Sequence, residues 1–297
     1  MKKERVAEAH IPSNAGQVQG TNDESTTSKR SAIRKDYFSD PFLRYFVSRP
    51  TTRSALINRG YYLRVAVVRH LLSRFLSLSS PFHSDSTGPS LLSSPPTTQV
   101  IDLPTPSQTA SSLAISSPSS SSKYFPPLDE HKCGSRQVVS LGAGFDTGPF
   151  LVPSTISEIG DACTCSISYF EIDFRGVAQR KAHSIACTPA LVGCFEKWSS
   201  VKSEEGNNNG DEEGPCFFEA EGWENKQSSS SFRYRYVLLG IDLTDLFLLE
   251  ESLLSKGFDK SLPTLFQAEC VLNYIAPKPA SALIAWTAAL PQCAFVR

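Results

Sequence analysis

The 297-residue chain lacks any run of about 18 uncharged apolar residues, and its basic opening MKKERVAEAHIPSNAG is followed by no apolar core, so neither a membrane span nor a secretory leader is expected. A soluble, cytoplasmic chain is the reading. An excess of charge of one sign is also missing. The 29 Lys+Arg and 30 Asp+Glu leave a net charge of -1, which gives no global attraction to nucleic acid or to a membrane surface. The eight cysteines, at 133, 163, 165, 187, 194, 216, 270 and 293, form no CxxC pair and have no paired histidines near them. That excludes a zinc site or a dense disulfide framework and leaves free thiols, with no metal expected.

Large apolar residues are scarce in three tracts. Residues 1–28 read as a disordered tail, 79–134 as a Ser/Pro-rich insertion and 200–231, with EEGNNNGDEEG and QSSSS, as a polar loop. The remainder carries enough apolar and aromatic residues, 40% and 10% of the whole chain, for a sizeable core. An N-terminal helical segment is expected over 29–78 and a larger domain over 135–297. In the first, Asp40 followed by Pro41 reads as a helix start, and Leu63, Val67, His70 or Leu71, Arg74 or Phe75 and Leu78 fall at helical spacing after it.

In the second, RQVVSLGAG, SISYFEID, FRYRYVLLGID, LPTLFQAECVLNYI and AFVR read as strands, and FRGVAQRKAHSIA, ESLLSKGF and PASALIAWTAAL as helices. Strands alternating with helices give a parallel sheet with crossovers, so the fold class is α/β with a doubly wound, mostly parallel sheet. Ligands in such folds bind at the carboxyl ends of the strands.

Those ends carry a set of residues. Gly142 and Gly144 follow the first strand, where absence of Cβ lets the backbone approach a ligand. Asp173 ends the second, with Glu171 two residues earlier on the same face, and an acid there can accept the two ribose hydroxyls of a nucleoside. Its alternative role is to cap the next helix, and the same alternative applies to Asp242, which with Leu243 ends the third strand. Glu269 follows the fourth in an apolar run, where burial requires a donor: a ligand ammonium, or a structural arginine or backbone amide. Thr147 stands where a dinucleotide fingerprint needs its third glycine, and no GxxxxGK[ST] is present. A site lined by acids suits the sulfonium and ammonium of S-adenosylmethionine better than phosphates.

The segments PFLRYFV, INRGYYLRV, VSLGAGFDT, YFEIDF, RKAHSI, IDLTDL and PTLFQAECVLNYIAPKPASALIAW together resemble the leucine carboxyl methyltransferase family, over about 29 to 297 apart from the two insertions. The resemblance implies a class I, Rossmann-like methyltransferase domain over 135–297. It implies S-adenosyl-L-methionine as cofactor, and as substrate the C-terminal leucine carboxylate of the protein phosphatase 2A catalytic subunit. No nucleic acid or membrane partner and a monomer are expected. The implied cofactor contacts are Lys29, Arg64, Gly142, Asp173, Asp242, Leu243 and Glu269, with Lys29 or Arg64 pairing with the methionine carboxylate.

A carboxylate is already ionised at neutral pH, so no catalytic base is assigned. Tyr274 and Arg59 are candidates for orienting the substrate. The family continues past AFVR, so the chain reads as C-terminally truncated, and the alternative function is a non-catalytic homologue that binds cofactor or phosphatase without turnover.

Overall fold

A computed structural model describes residues 15–47, 51–77, 134–159, 166–195, 197–201, 216–221 and 233–296. Its strands are β1 (Arg136–Leu141), β2 (Ser166–Asp173), β3 (Lys197–Val201), β4 (Cys216–Glu221), β5 (Arg233–Gly240), β6 (Thr264–Gln267) and β7 (Cys293–Val296). They form one sheet in the order β3-β4-β5-β2-β1-β6-β7. The five strands from β5 to β7 pair in parallel. Chain order reverses direction across the sheet at β1, the switch point at which doubly wound sheets open a crevice for ligand.

The two faces alternate as the pleat requires. Val138, Ile167, Tyr169, Tyr236 and Leu265 point into one apolar cluster, while Val139, Phe170, Val237 and Phe266 point into the other. The first cluster takes in Leu72, Phe75 and Leu76 of α2 (Ala55–Ser77), Phe150 and Ile156 of α3 (Gly148–Ile159), and Ile185 of α4 (Arg175–Ala186). The second is closed by Leu249 and Leu253 of α6 (Leu246–Ser255) and Leu283 of α7 (Pro277–Ala288). A single-turn helix, α5 (Pro189–Val192), follows α4.

Four sequence expectations change. The tail predicted over 1–28 holds helix α1 (Ala15–Arg34), whose Thr26, Ser28, Ser31 and Ala32 are buried. Small residues carry little apolar signal, yet they let a helix lie close against its neighbours. Asp40 starts only a 3-10 turn, Leu43–Tyr45: its carboxylate accepts the amides of Phe42 and Leu43 at 2.9 Å. Helix α2 buries Phe75 as expected but otherwise turns a neighbouring face inward, burying Val65, Leu72 and Leu76 and leaving Leu63 and Val67 half exposed. The helix is apolar on both sides, so spacing alone fits two registers. Finally, β4 lies within the polar loop predicted over 200–231 and, with β3, adds an antiparallel edge to β5. Residues 79–133 of the Ser/Pro-rich insertion and 202–215 and 222–231 of the loop lie outside the described residues.

Candidate functional site at the strand ends

Gly142 and Gly144 adopt φ of +63° and +54°, the left-handed region that glycine tolerates. Space as well as conformation demands them: a Cβ on Gly142 would fall 2.0 Å from Val271 Cγ2, and one on Gly144 2.3 Å from Asn22 Oδ1. The loop they shape hangs from β2. The amides of Gly142 and Ala143 donate to Ile172 O at 2.7 and 3.1 Å, and the Gly144 amide donates to Asp173 Oδ2 at 2.6 Å.

Asp173 Oδ1 accepts the Phe174 amide at 2.7 Å, while the residue capping α4 is Phe174 itself, with no side-chain cap. Helix capping is therefore not the role of Asp173. Burial raises its carboxyl above the usual range, partly offset by the two amides, and no ion pair reaches it among the described residues. Each oxygen keeps a lone pair for a further donor. Asp242 is likewise not a cap: Asp245 caps α6 through the Leu248 amide at 3.0 Å, and Asp242 Oδ1 closes a tight turn by accepting both the amide and hydroxyl of Thr244 at 2.9 Å.

Glu269 follows β6, just before Cys270, whose φ of +59° marks a sharp turn. The donors that a buried acid requires come from the N-terminal helices. Lys29 of α1 donates to Glu269 Oε2 at 2.8 Å, and the Arg64 guanidinium of α2 lies 2.7 Å from Oε1 outside hydrogen-bond alignment. Burial alone would lower the Lys29 ammonium, but Glu269 and then Asp146, 3.7 Å away, outweigh it and hold it above its ordinary value. Arg64 is raised in the same way, Glu269 outweighing burial. Asp146 is held below the carboxylate range because Lys29 and Lys181 outweigh its burial.

All seven predicted cofactor residues, Lys29, Arg64, Gly142, Asp173, Asp242, Leu243 and Glu269, line one cavity of about 430 Å³. This size falls within the range of small-molecule sites. Tyr274 also lines it, half exposed, whereas exposed Arg59 is not among its lining residues. In the free chain Lys29 and Arg64, which the resemblance assigns to a ligand carboxylate, both converge on Glu269. Sequence reasoning missed Asn22, whose Oδ1 accepts the Phe145 amide at 2.8 Å, and its α1 neighbours Thr21, Ser25 and Thr26 in the wall. Only recognising α1 as a helix would have found them.

Beneath the loop, the Lys181 ammonium donates to Glu171 Oε2 at 2.6 Å and to Asp146 O at 2.7 Å, and Tyr236 Oη donates to the same Glu171 oxygen at 2.6 Å. Burial pushes the Glu171 carboxyl up to about 7 against the pull of Lys181, with Asp146 adding to the rise. The folded chain then holds a proton that the unfolded chain releases above its ordinary 4.5. Stability from this group is full below that value and is lost as pH rises toward 7, by roughly 3 kcal/mol. Urea midpoints measured across this window should fall with pH in the natural chain and lose that slope in Glu171→Gln.

Among the described residues, no helix is long and apolar enough to cross a membrane, and no cluster of His, Cys, Asp and Glu could hold a metal ion. The sequence profile described as leucine carboxyl methyltransferase matches residues 128–288, more than half of the chain. Over 95% of its length the chain is 32% identical to tRNA wybutosine-synthesizing protein 4 of Homo sapiens, covering 30% of that protein. Over 94% it is 29% identical to the leucine carboxyl methyltransferase 1 homolog of Arabidopsis thaliana, covering 59% of it. Leucine carboxyl methyltransferase 1 of Rattus norvegicus is 26% identical over 91% of the chain, which covers 58% of that relative. The chain thus spans less than two thirds of these relatives.

Proposed function

Because the chain belongs to the leucine carboxyl methyltransferase family, we propose that it binds S-adenosyl-L-methionine in the strand-end cavity and methylates a carboxylate, that of the C-terminal leucine of the protein phosphatase 2A catalytic subunit. The observation that carries the cofactor reading is the convergence of Asp173, Asp242 and Glu269 on one cavity beside a loop whose Gly142 and Gly144 leave no room for a Cβ. Asp173 would accept the ribose hydroxyls through the lone pairs its two amide donors leave free. Asp242 and the Leu243 amide would meet the adenine, and Glu269 the ammonium. Arg64 and Lys29, anchored by Glu269, would stand beside the carboxylate end of the ligand.

Bound S-adenosylmethionine supplies a methyl group on a sulfonium sulfur that leaves as a neutral thioether when a carboxylate oxygen takes the methyl. The chain's residues need supply no base, since the acceptor is already ionised. Their work is to orient donor and acceptor and exclude water.

The relatives named leucine carboxyl methyltransferase 1 support the leucine acceptor. A second reading, an acceptor within tRNA, is favoured by the human relative whose name refers to tRNA wybutosine synthesis. Incubating the chain with methyl-labelled S-adenosylmethionine and either phosphatase catalytic subunit or tRNA separates them. Base-labile label on the phosphatase is the expected result. Label on tRNA alone would replace the acceptor, and label on neither, with cofactor bound, would favour a binding protein without turnover.

A further inference from the structure

Lys181 and Glu171 form an ion pair in which both side chains are fully buried, and neither residue lines the ligand cavity. Taking two ions out of water is costly, and apolar replacements of such pairs are commonly as stable or more so, so stability alone explains the pair poorly. Its position offers another reason. The glycine loop is held from three directions: Asn22 Oδ1 takes the Phe145 amide from above, Asp173 Oδ2 takes the Gly144 amide from the strand, and Lys181 takes the carbonyl of Asp146 from below. Lys181 is also bonded to Glu171, two residues before Asp173 on β2. One ammonium therefore ties helix α4, the end of the loop and the strand bearing Asp173 to a common point.

We propose that Lys181 is a positioning residue for the ligand cavity, fixing the glycine loop against Asp173 through its bonds to Asp146 and Glu171. In the part that concerns S-adenosylmethionine the inference rests on the proposed function; in the part that concerns the loop it does not. Gly142 and Gly144 bring no side chain to hold their own part of the loop, which rests on its backbone bonds and on its Phe145–Thr147 end. Removing the ammonium releases the Asp146 carbonyl, and with it the direction in which the Asp146 carboxylate faces Lys29.

The test compares the full natural chain with Lys181→Met, Glu171→Gln and the double variant, above the pH at which Glu171 titrates. Lys181→Met alone leaves a buried carboxyl that loses the lowering pull of Lys181 and must hold a proton the unfolded chain releases, and it should lower the urea midpoint. The double variant removes that ionisable group and should recover the midpoint. It should not recover the loop: amide exchange at Gly144 and Phe145 is expected to stay about tenfold faster than in the natural chain, and S-adenosylmethionine to bind about tenfold more weakly.

Glu171→Gln keeps an amide oxygen to accept from Lys181 and leaves Lys181 bonded to Asp146, so both ties persist and its loop exchange should stay near the natural rate. If the double variant recovers midpoint, exchange and affinity together, the pair is structural only and the proposal is overturned. Glu171→Gln loosening the loop as much as Lys181→Met would overturn it too, even if the double variant did not fold. If the natural chain fails to bind S-adenosylmethionine, the cofactor reading falls, and loop exchange alone decides the role of Lys181.

Discussion

Asp173→Ala should abolish measurable binding of S-adenosylmethionine while leaving the chain folded. In the free chain each carboxylate oxygen accepts one backbone amide, from Gly144 at 2.6 Å and Phe174 at 2.7 Å. Two ribose hydroxyls would add one donor to each oxygen. Hydrogen bonds to a charged group contribute about 1.5–3 kcal/mol apiece, so losing both weakens binding by about 3–6 kcal/mol, roughly two to four orders of magnitude. The alanine also leaves the Gly144 amide without its acceptor and frees the loop, which adds to the loss. Asp173→Asn keeps the shape and one acceptor oxygen and should fall between the two. Isothermal titration with S-adenosylmethionine, and with NAD as control ligand, measures the effect. Unchanged affinity in Asp173→Ala would remove the ribose from this strand end.

The residues that sequence reasoning located best are those whose role depends on strand order. The predicted strands are short β-branched and aromatic segments alternating with helices, and in a parallel sheet the residue after each has a known address. Gly142, Asp173, Asp242 and Glu269 could be placed at one crevice for that reason, before any contact was known. What could not be read was the partner of each charge. Lys29 lies 240 positions before Glu269, and no local period joins them.

Helix α1 escaped notice because its buried face is made of Thr26, Ser28, Ser31 and Ala32, residues common in chain ends. Its packing depends on close approach rather than apolar area, which composition does not record. The register of α2 escaped for the opposite reason, an excess of apolar residues. Its Arg64 must reach Glu269 and its Val65 the interior, so a tertiary ion pair and the neighbouring core select between two faces that hydrophobic spacing leaves equivalent. The strand β4 was hidden by the acidic and serine-rich residues around it.

The N-terminal helices and the sheet meet at Glu269, and Glu269→Ala should disrupt that meeting. The residue holds Lys29 at 2.8 Å and Arg64 at 2.7 Å; the side chains of Lys29, Arg64 and Glu269 are 10%, 30% and 21% exposed. Removing one member of a buried pair costs about 3–5 kcal/mol because its partner is left uncompensated, and partial exposure brings the expected loss here to about 2–3 kcal/mol. The pH dependence separates this from simple loss of packing. In the natural chain Lys29 is held above 10.5, so its contribution is present below that value and is lost only as pH rises through the raised one. In Glu269→Ala, burial and the adjacent Arg64 depress it, with only Asp146 opposing them. The unfolded chain then binds the extra proton, and stability rises with pH through the depressed value.

Urea midpoints should therefore stay level in the natural chain over mildly alkaline pH, above the range in which Glu171 titrates, but climb in the variant. Lys29→Met added to Glu269→Ala should regain part of the loss at neutral pH and remove the climb. A variant as stable as the natural chain, with no slope, would show that the two helices are held to the sheet by apolar contacts alone.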